Sequence, residues 1–174
     1  KTQEAIEAFR AIHGADWGEW AAARADALTV TLPLMGRPCP PLPKGNWIGV
    51  ETPKTLEKLA GKVVVVDFWL LSAPPCVESM KALKAIRARY VDRGLYVVGV
   101  TCEEPQRESD QINKYLGDAL IDYPTLVSDD GISDPRYQVR GLPYCLLLDR
   151  KGVVRWTGSP ADPALEAQIQ TLLK

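Results

Sequence analysis

Residues 61–80 read GKVVVVDFWLLSAPPCVESM, and the way this stretch folds decides the architecture of the whole chain. Its first part, 63–69, is apolar on consecutive positions and dominated by valine. A strand with one wet face alternates apolar and polar residues. A strand apolar at both parities is buried on both sides, so 63–69 is expected at the centre of a sheet covered by helices. The pattern then changes period. Met80, Leu83, Ala85 and Ile86 fall on one side of a helix predicted over 77–90, ended by Gly94. A second buried strand follows at 95–101. Strand, helix and strand make a βαβ unit, whose crossover is expected to be right-handed.

Downstream, the periodicity predicts a helix over 108–116, a short strand at 125–127, a helical turn at 134–138, strands at 144–149 and 153–157, and a closing helix at 162–173. The turn at Arg150–Gly152 suits a hairpin, so the last two strands should be antiparallel. A βαβ unit followed by a ββα unit is an α/β sandwich around a mixed sheet. Upstream lie a short strand at 47–50 and a helical turn at 55–59 closed by Gly61. Before them, the proline-rich stretch 33–43 reads as an irregular connection. Helices are predicted at 2–12, where Ile6, Phe9 and Ile12 share a face ahead of His13-Gly14, and at 16–28 after an Asp16 cap, with a short strand at 28–32. The expected organisation is an N-terminal helical extension and linker over 1–35 and one main domain over 36–174.

Composition narrows the function. The 174 residues, 46% hydrophobic, are enough for one well-buried core. With 21 basic and 22 acidic side chains the net charge is −1, which offers no field for nucleic acid. No apolar run reaches the roughly 20 residues of a membrane span, and 63–71 contains Asp67. The chain begins at Lys1, and a removed upstream segment, whether signal peptide, membrane anchor or tag, is expected. The cysteines, Cys39, Cys76, Cys102 and Cys145, have no zinc-site spacing, and the single histidine, His13, reads as a helix-end residue, so neither metal nor cofactor is expected. Trp17 and Trp20 read as packing residues.

The stretch 61–80 resembles the strand, loop and helix start of the thioredoxin-like family that includes TlpA and ResA. In that family a strand runs into Phe-Trp and then into Cys-Pro-Pro-Cys at the head of a helix. Three further segments resemble it in order and spacing: Gly36-Arg37-Pro38-Cys39-Pro40, Tyr123-Pro124-Thr125-Leu126-Val127-Ser128-Asp129, and Val139-Arg140-Gly141-Leu142-Pro143. The resemblance covers about residues 36–174 and implies a thioredoxin-like three-layer sandwich. It also implies a cis bond before Pro143, facing the active-site loop, and a periplasmic or otherwise extracytoplasmic thiol-disulfide oxidoreductase, with a membrane anchor upstream as one form of the removed segment.

The motif departs from its family where the chemistry sits. Exchange needs a thiolate at the exposed first turn of the helix, whose N-terminus lowers the thiol pKa, and a second cysteine three residues on to resolve the mixed disulfide. Here the first position is Ala73 and the second is Cys76. Ser72 stands where the family usually has tryptophan, and Ser79 where an acid is common, with Glu78 displaced by about 100 degrees around the helix. An engineered replacement would explain Ala73 alone; three coincident changes favour natural loss or re-purposing. Cys102 and Cys145 are expected at the sheet edge where Cys76 starts its helix. One strand separates them, about 9.5 Å, too far for a disulfide with each other, so either is a candidate redox partner for Cys76; three buried, inert cysteines are the competing reading. Cys39 fills the family's alanine position.

Three functions compete. One is a TlpA/ResA-like protein with atypical or lost dithiol activity, Cys76 and Pro143 being its catalytic residues. Another is a non-catalytic module that binds a protein or polypeptide in a groove lined by Trp69, Ser72, Pro74, Pro75, Leu142 and Tyr144, the last as an exposed aromatic anchor. The third is a single-cysteine peroxiredoxin-like peroxidase, which Ala73 disfavours because such enzymes carry threonine or serine three residues before the cysteine.

Overall fold

The computed structural model describes residues 34–49, 55–103 and 122–174. The helices and strand predicted at 2–12, 16–28 and 28–32, the helix at 108–116, and His13, Trp17 and Trp20 lie outside them. A six-stranded sheet organises the described residues. The strands are β1 (Asn46–Ile48), β2 (Val63–Phe68), β3 (Leu95–Thr101), β4 (Thr125–Val127), β5 (Tyr144–Leu148) and β6 (Val154–Gly158), in the order β1-β4-β3-β2-β5-β6. Strand β2 runs parallel to β3, with Val63 beside Leu95 and Phe68 beside Val100, and antiparallel to β5, with Val64 opposite Leu148 and Phe68 opposite Tyr144. Every residue of β2 is buried, as its unbroken apolar run requires. Strands β5 and β6 form the expected antiparallel hairpin. Its turn is closed by the Asp149 carboxylate, which accepts from Lys151 N at 2.8 Å and Val153 N at 3.0 Å, while Gly152 takes the left-handed conformation (φ +75°). The result is a thioredoxin-like α/β fold with a mixed sheet.

The two sheet faces are packed differently. Val63 and Val65 of β2, Val97 of β3 and Leu147 of β5 face helices α1 (Pro74–Tyr90) and α2 (Pro163–Leu172), meeting Met80, Leu83 and Ile86 from one and Leu165 and Ile169 from the other. Val64, Val66 and Phe68 face the opposite way, onto Leu34, Tyr137, Tyr144 and the 3-10 turn Leu56–Leu59. Burial of each Val or Leu contributes about 1.5–3 kcal/mol. Helix α1 begins three residues earlier than predicted because Pro74 and Pro75 occupy its first positions, where a missing N–H costs nothing.

The far end of α1 is tied to α2. Arg89 donates to both carboxylate oxygens of Glu166 at 3.0 and 2.8 Å, the Tyr90 hydroxyl donates to the same carboxylate at 2.8 Å, and Gln170 donates to that hydroxyl at 2.7 Å. The proline-rich segment has no regular element but hooks onto the start of β6: Gly36 N donates to Val154 O at 2.8 Å and Val154 N to Arg37 O at 2.9 Å. Residues 134–138 make successive turns rather than a helix, with Gln138 at φ +55°. No helix among the described residues is long and apolar enough to cross a membrane.

Candidate active site

The N-cap of α1 is Ala73, in extended conformation (φ −105°, ψ 98°), with no side chain able to cap the helix and no acid in the first turn. Pro74 and Pro75 are exposed beside Ser72, and Cys76 N donates to Ala73 O at 2.9 Å. The Cys76 side chain is wholly buried, 0% exposed. Burial pushes its thiol pKa up, a backbone hydrogen bond at Leu70 opposes this, and the charges of Asp67 and Glu103 add to the rise. Ser79 is also buried and turns its hydroxyl back to Cys76 O at 2.8 Å, so it supplies no charge to the site. Glu78 points outward and pairs with Lys81 at 2.7 Å.

Behind the loop lies a buried carboxylate. Asp67, 0% exposed in β2, has its pKa raised to about 7 by burial, against which the Tyr123 hydroxyl, donating to Oδ2 at 2.8 Å, stabilises the anion. Asp67 Oδ1 and Trp69 Nε1 are buried without a hydrogen-bond partner among the described residues. Gly99, the β3 neighbour of Asp67, makes room for this arrangement. A Cβ there would stand 2.6 Å from Thr125 Oγ1, 2.8 Å from Trp69 Nε1 and 3.1 Å from the Tyr123 ring. Cys145 lies directly opposite Asp67 in β5, and burial with the Asp67 charge drives its thiol well above the ordinary range.

A second carboxylate reaches the loop from the end of β3. Glu103, itself buried, accepts hydrogen bonds from Leu71 N and, at 3.0 Å, from Ser72 N. The Leu142–Pro143 peptide bond is cis, and both residues are half-buried. Of the proposed groove residues, Ser72, Pro74, Pro75 and Leu142 are accessible, whereas two expectations need correcting. Trp69 is fully buried in the helix-side core, and Tyr144 is only 8% exposed, packed on Phe68 at a ring separation of 6.1 Å. Tyr144 fails as an anchor because β5 lies between β2 and β6 and its odd-even register turns that ring to the face away from Cys76. Cys76 and Cys145 share one core, Cys102 follows β3, and Cys39 packs on the opposite face, where burial raises its pKa to about 12. No disulfide joins the four. Glu103 and Tyr123 escaped sequence reading as site residues, since contacts across 31 and 56 positions leave no periodic trace.

A mixed sheet whose central parallel strand feeds, through a short Pro-Pro loop, a helix with a cysteine in its first turn, and which carries a cis-proline before the next antiparallel strand, defines the thioredoxin-like class. Residues 48–173 match the Redoxin family, and the chain belongs to it. Thioredoxin-like protein YneN of Bacillus subtilis is 29% identical over 101 residues, 58% of this chain and 58% of that protein. Thiol-disulfide oxidoreductase ResA of Halalkalibacterium halodurans is 26% identical over 100 residues, 57% of this chain and 54% of ResA. The chain thus spans little more than half the length of these relatives. Among solved structures, a putative thiol:disulfide interchange protein DsbE from Chlorobium tepidum superposes with a TM-score of 0.68 at 26% identity, over 80% of this chain and 98% of that one. The chain is therefore a thioredoxin-like member of the thiol-disulfide oxidoreductase family.

Proposed function

We propose that this chain is an extracytoplasmic thioredoxin-like protein that has lost two-cysteine exchange and uses the retained surface beside Pro143 to bind a polypeptide. The observation that carries this reading is the pairing of Ala73 at the α1 N-cap with a Cys76 that is 0% exposed. In exchange, a surface thiolate attacks the substrate disulfide, one substrate sulfur leaves as thiolate, and the resolving thiol then breaks the mixed disulfide. Cys76 occupies the resolving position. With alanine at the attacking position no mixed disulfide forms for it to resolve, and its raised pKa keeps it protonated at neutral pH.

What remains accessible is a surface of Ser72, Pro74, Pro75, Leu142 and Pro143, apolar and rich in rigid residues, which suits an extended polypeptide. The location outside the cytoplasm rests on kinship with ResA and DsbE. The test is insulin reduction with dithiothreitol as electron source: the wild type should stay at background, equal to Cys76→Ser. Turnover above background that vanishes in Cys76→Ser would refute the loss of exchange. Cell fractionation of the protein expressed from its full gene tests the location.

A further inference from the structure

Glu103 is the one acidic side chain that reaches the active-site loop from outside it among the described residues. It is 6% exposed and accepts from two successive backbone amides, Leu71 N and Ser72 N, directly ahead of Ala73 and the first turn of α1. A carboxylate bound to two amides is a strong, charge-assisted contact, and here it spans 31 residues of chain to fix a loop that has no secondary structure of its own. We propose that Glu103 is a positioning residue for Cys76: it anchors the loop that leads into α1 and places a fixed negative charge beside the thiol.

The two effects act together. Anchoring the loop keeps Ala73 and the prolines seated over Cys76, and the charge opposes formation of a thiolate beneath them. The ionisable groups that act on Cys76 among the described residues are Asp67 from β2 and Glu103 from beyond β3, both acidic; Cys145 of β5 shares the core, and the first turn of α1 adds no acid. Desolvation is the larger cause of the raised Cys76 pKa, so Glu103 reinforces a thiol already disfavoured from ionising. The inference deepens the reading of Cys76 as a retained but masked thiol, and rests on it.

Glu103→Gln separates the roles, because the amide oxygen can still accept from Leu71 N and Ser72 N while the charge is gone. The folded full chain is treated with iodoacetamide from pH 6 to pH 9.5, and modification of Cys76 is read by peptide-resolved mass spectrometry. The expected result is a rate–pH profile moved about half to one unit toward lower pH, roughly three- to tenfold faster labelling at pH 8, with amide exchange at Leu71 and Ser72 still slow. In Glu103→Ala that exchange should become fast. An unmoved profile in Glu103→Gln overturns the electrostatic role, and slow Leu71 and Ser72 exchange in Glu103→Ala overturns the anchoring role; if Glu103→Ala does not fold, the Glu103→Gln profile decides alone. The masked-thiol reading fails separately, if wild-type Cys76 labels as fast as an unfolded-chain cysteine.

Discussion

The two helices of this protein start differently. Helix α2 has Asp162 at its N-cap accepting from Ala164 N at 2.8 Å, Pro163 behind it and Glu166 in the first turn, so its exposed amides and positive dipole end are met. Helix α1 has Ala73 at the same position, no cap and no acid. A helix that only supports a fold can complete its own terminus, whereas α1 leaves that terminus bare above a buried cysteine. The bare terminus is what a nucleophile would occupy, and the chain keeps it without the nucleophile.

The sharpest way to break this contrast is Ala73→Cys. If α1 still has the geometry of an exchange site, the new thiol should pair with Cys76 in air and raise insulin reduction at least about a hundredfold above the wild-type background, since the variant supplies a reacting group that was missing altogether. No gain would mean that the surroundings, Ser72, Ser79 and the two acids, have closed the site beyond repair by one residue.

The next effect tests the interior behind α1. Asp67 titrates at about 7 when folded and near 4 when unfolded. Between those values the folded chain holds a proton that the unfolded chain has lost, so stability is highest at low pH, falls as pH rises from about 4 to about 7, and then levels off. Asp67→Asn still accepts from Tyr123 and should remove this dependence, leaving the variant more stable than wild type by about 2–4 kcal/mol at pH 8 and near parity at pH 4. Urea denaturation at both pH values measures it, and parallel pH curves for the two proteins would contradict the raised pKa.

Smaller still are the caps themselves. Asp162→Ala should cost about 1 kcal/mol and lower Tm by about 2–5 °C. Ala73→Ser, which gives α1 the cap it lacks in an already extended N-cap conformation, should gain about 0.5–1 kcal/mol in the same denaturation experiment. A loss there would show that alanine is required by its surroundings at that position.

Much of this was legible beforehand, for reasons that differ by element. Strand β2 was readable because four consecutive valines bounded by Gly61 and Trp69 admit little else, and strands β3 and β4 have the predicted bounds, 95–101 and 125–127. The start of α1 was placed late because Pro-Pro signals a break unless it falls in the first turn. The position of Cys76 and the absence at Ala73 were plain from spacing. The acids were not. Asp67 entered only as a charge that spoils a membrane span, and nothing local marks it as the partner of Tyr123, since that pairing exists only because Gly99 leaves a gap between strands. Tyr144 was misread because an aromatic next to a motif proline looks like a contact residue until the sheet order shows both of its neighbours.

The knot at the other end of α1, where Arg89 and Tyr90 hold Glu166 and Gln170, bears on how such a protein comes to exist. It clamps the helix like a beam fixed at one end, so its seating on the sheet is secured about four turns away from residue 73. A change at the free end therefore alters what the molecule can react with while leaving how it folds almost untouched. A lineage carrying such a clamp can lose its reactive cysteine in a single step, keep a well-formed protein, and put the surviving surface to another use.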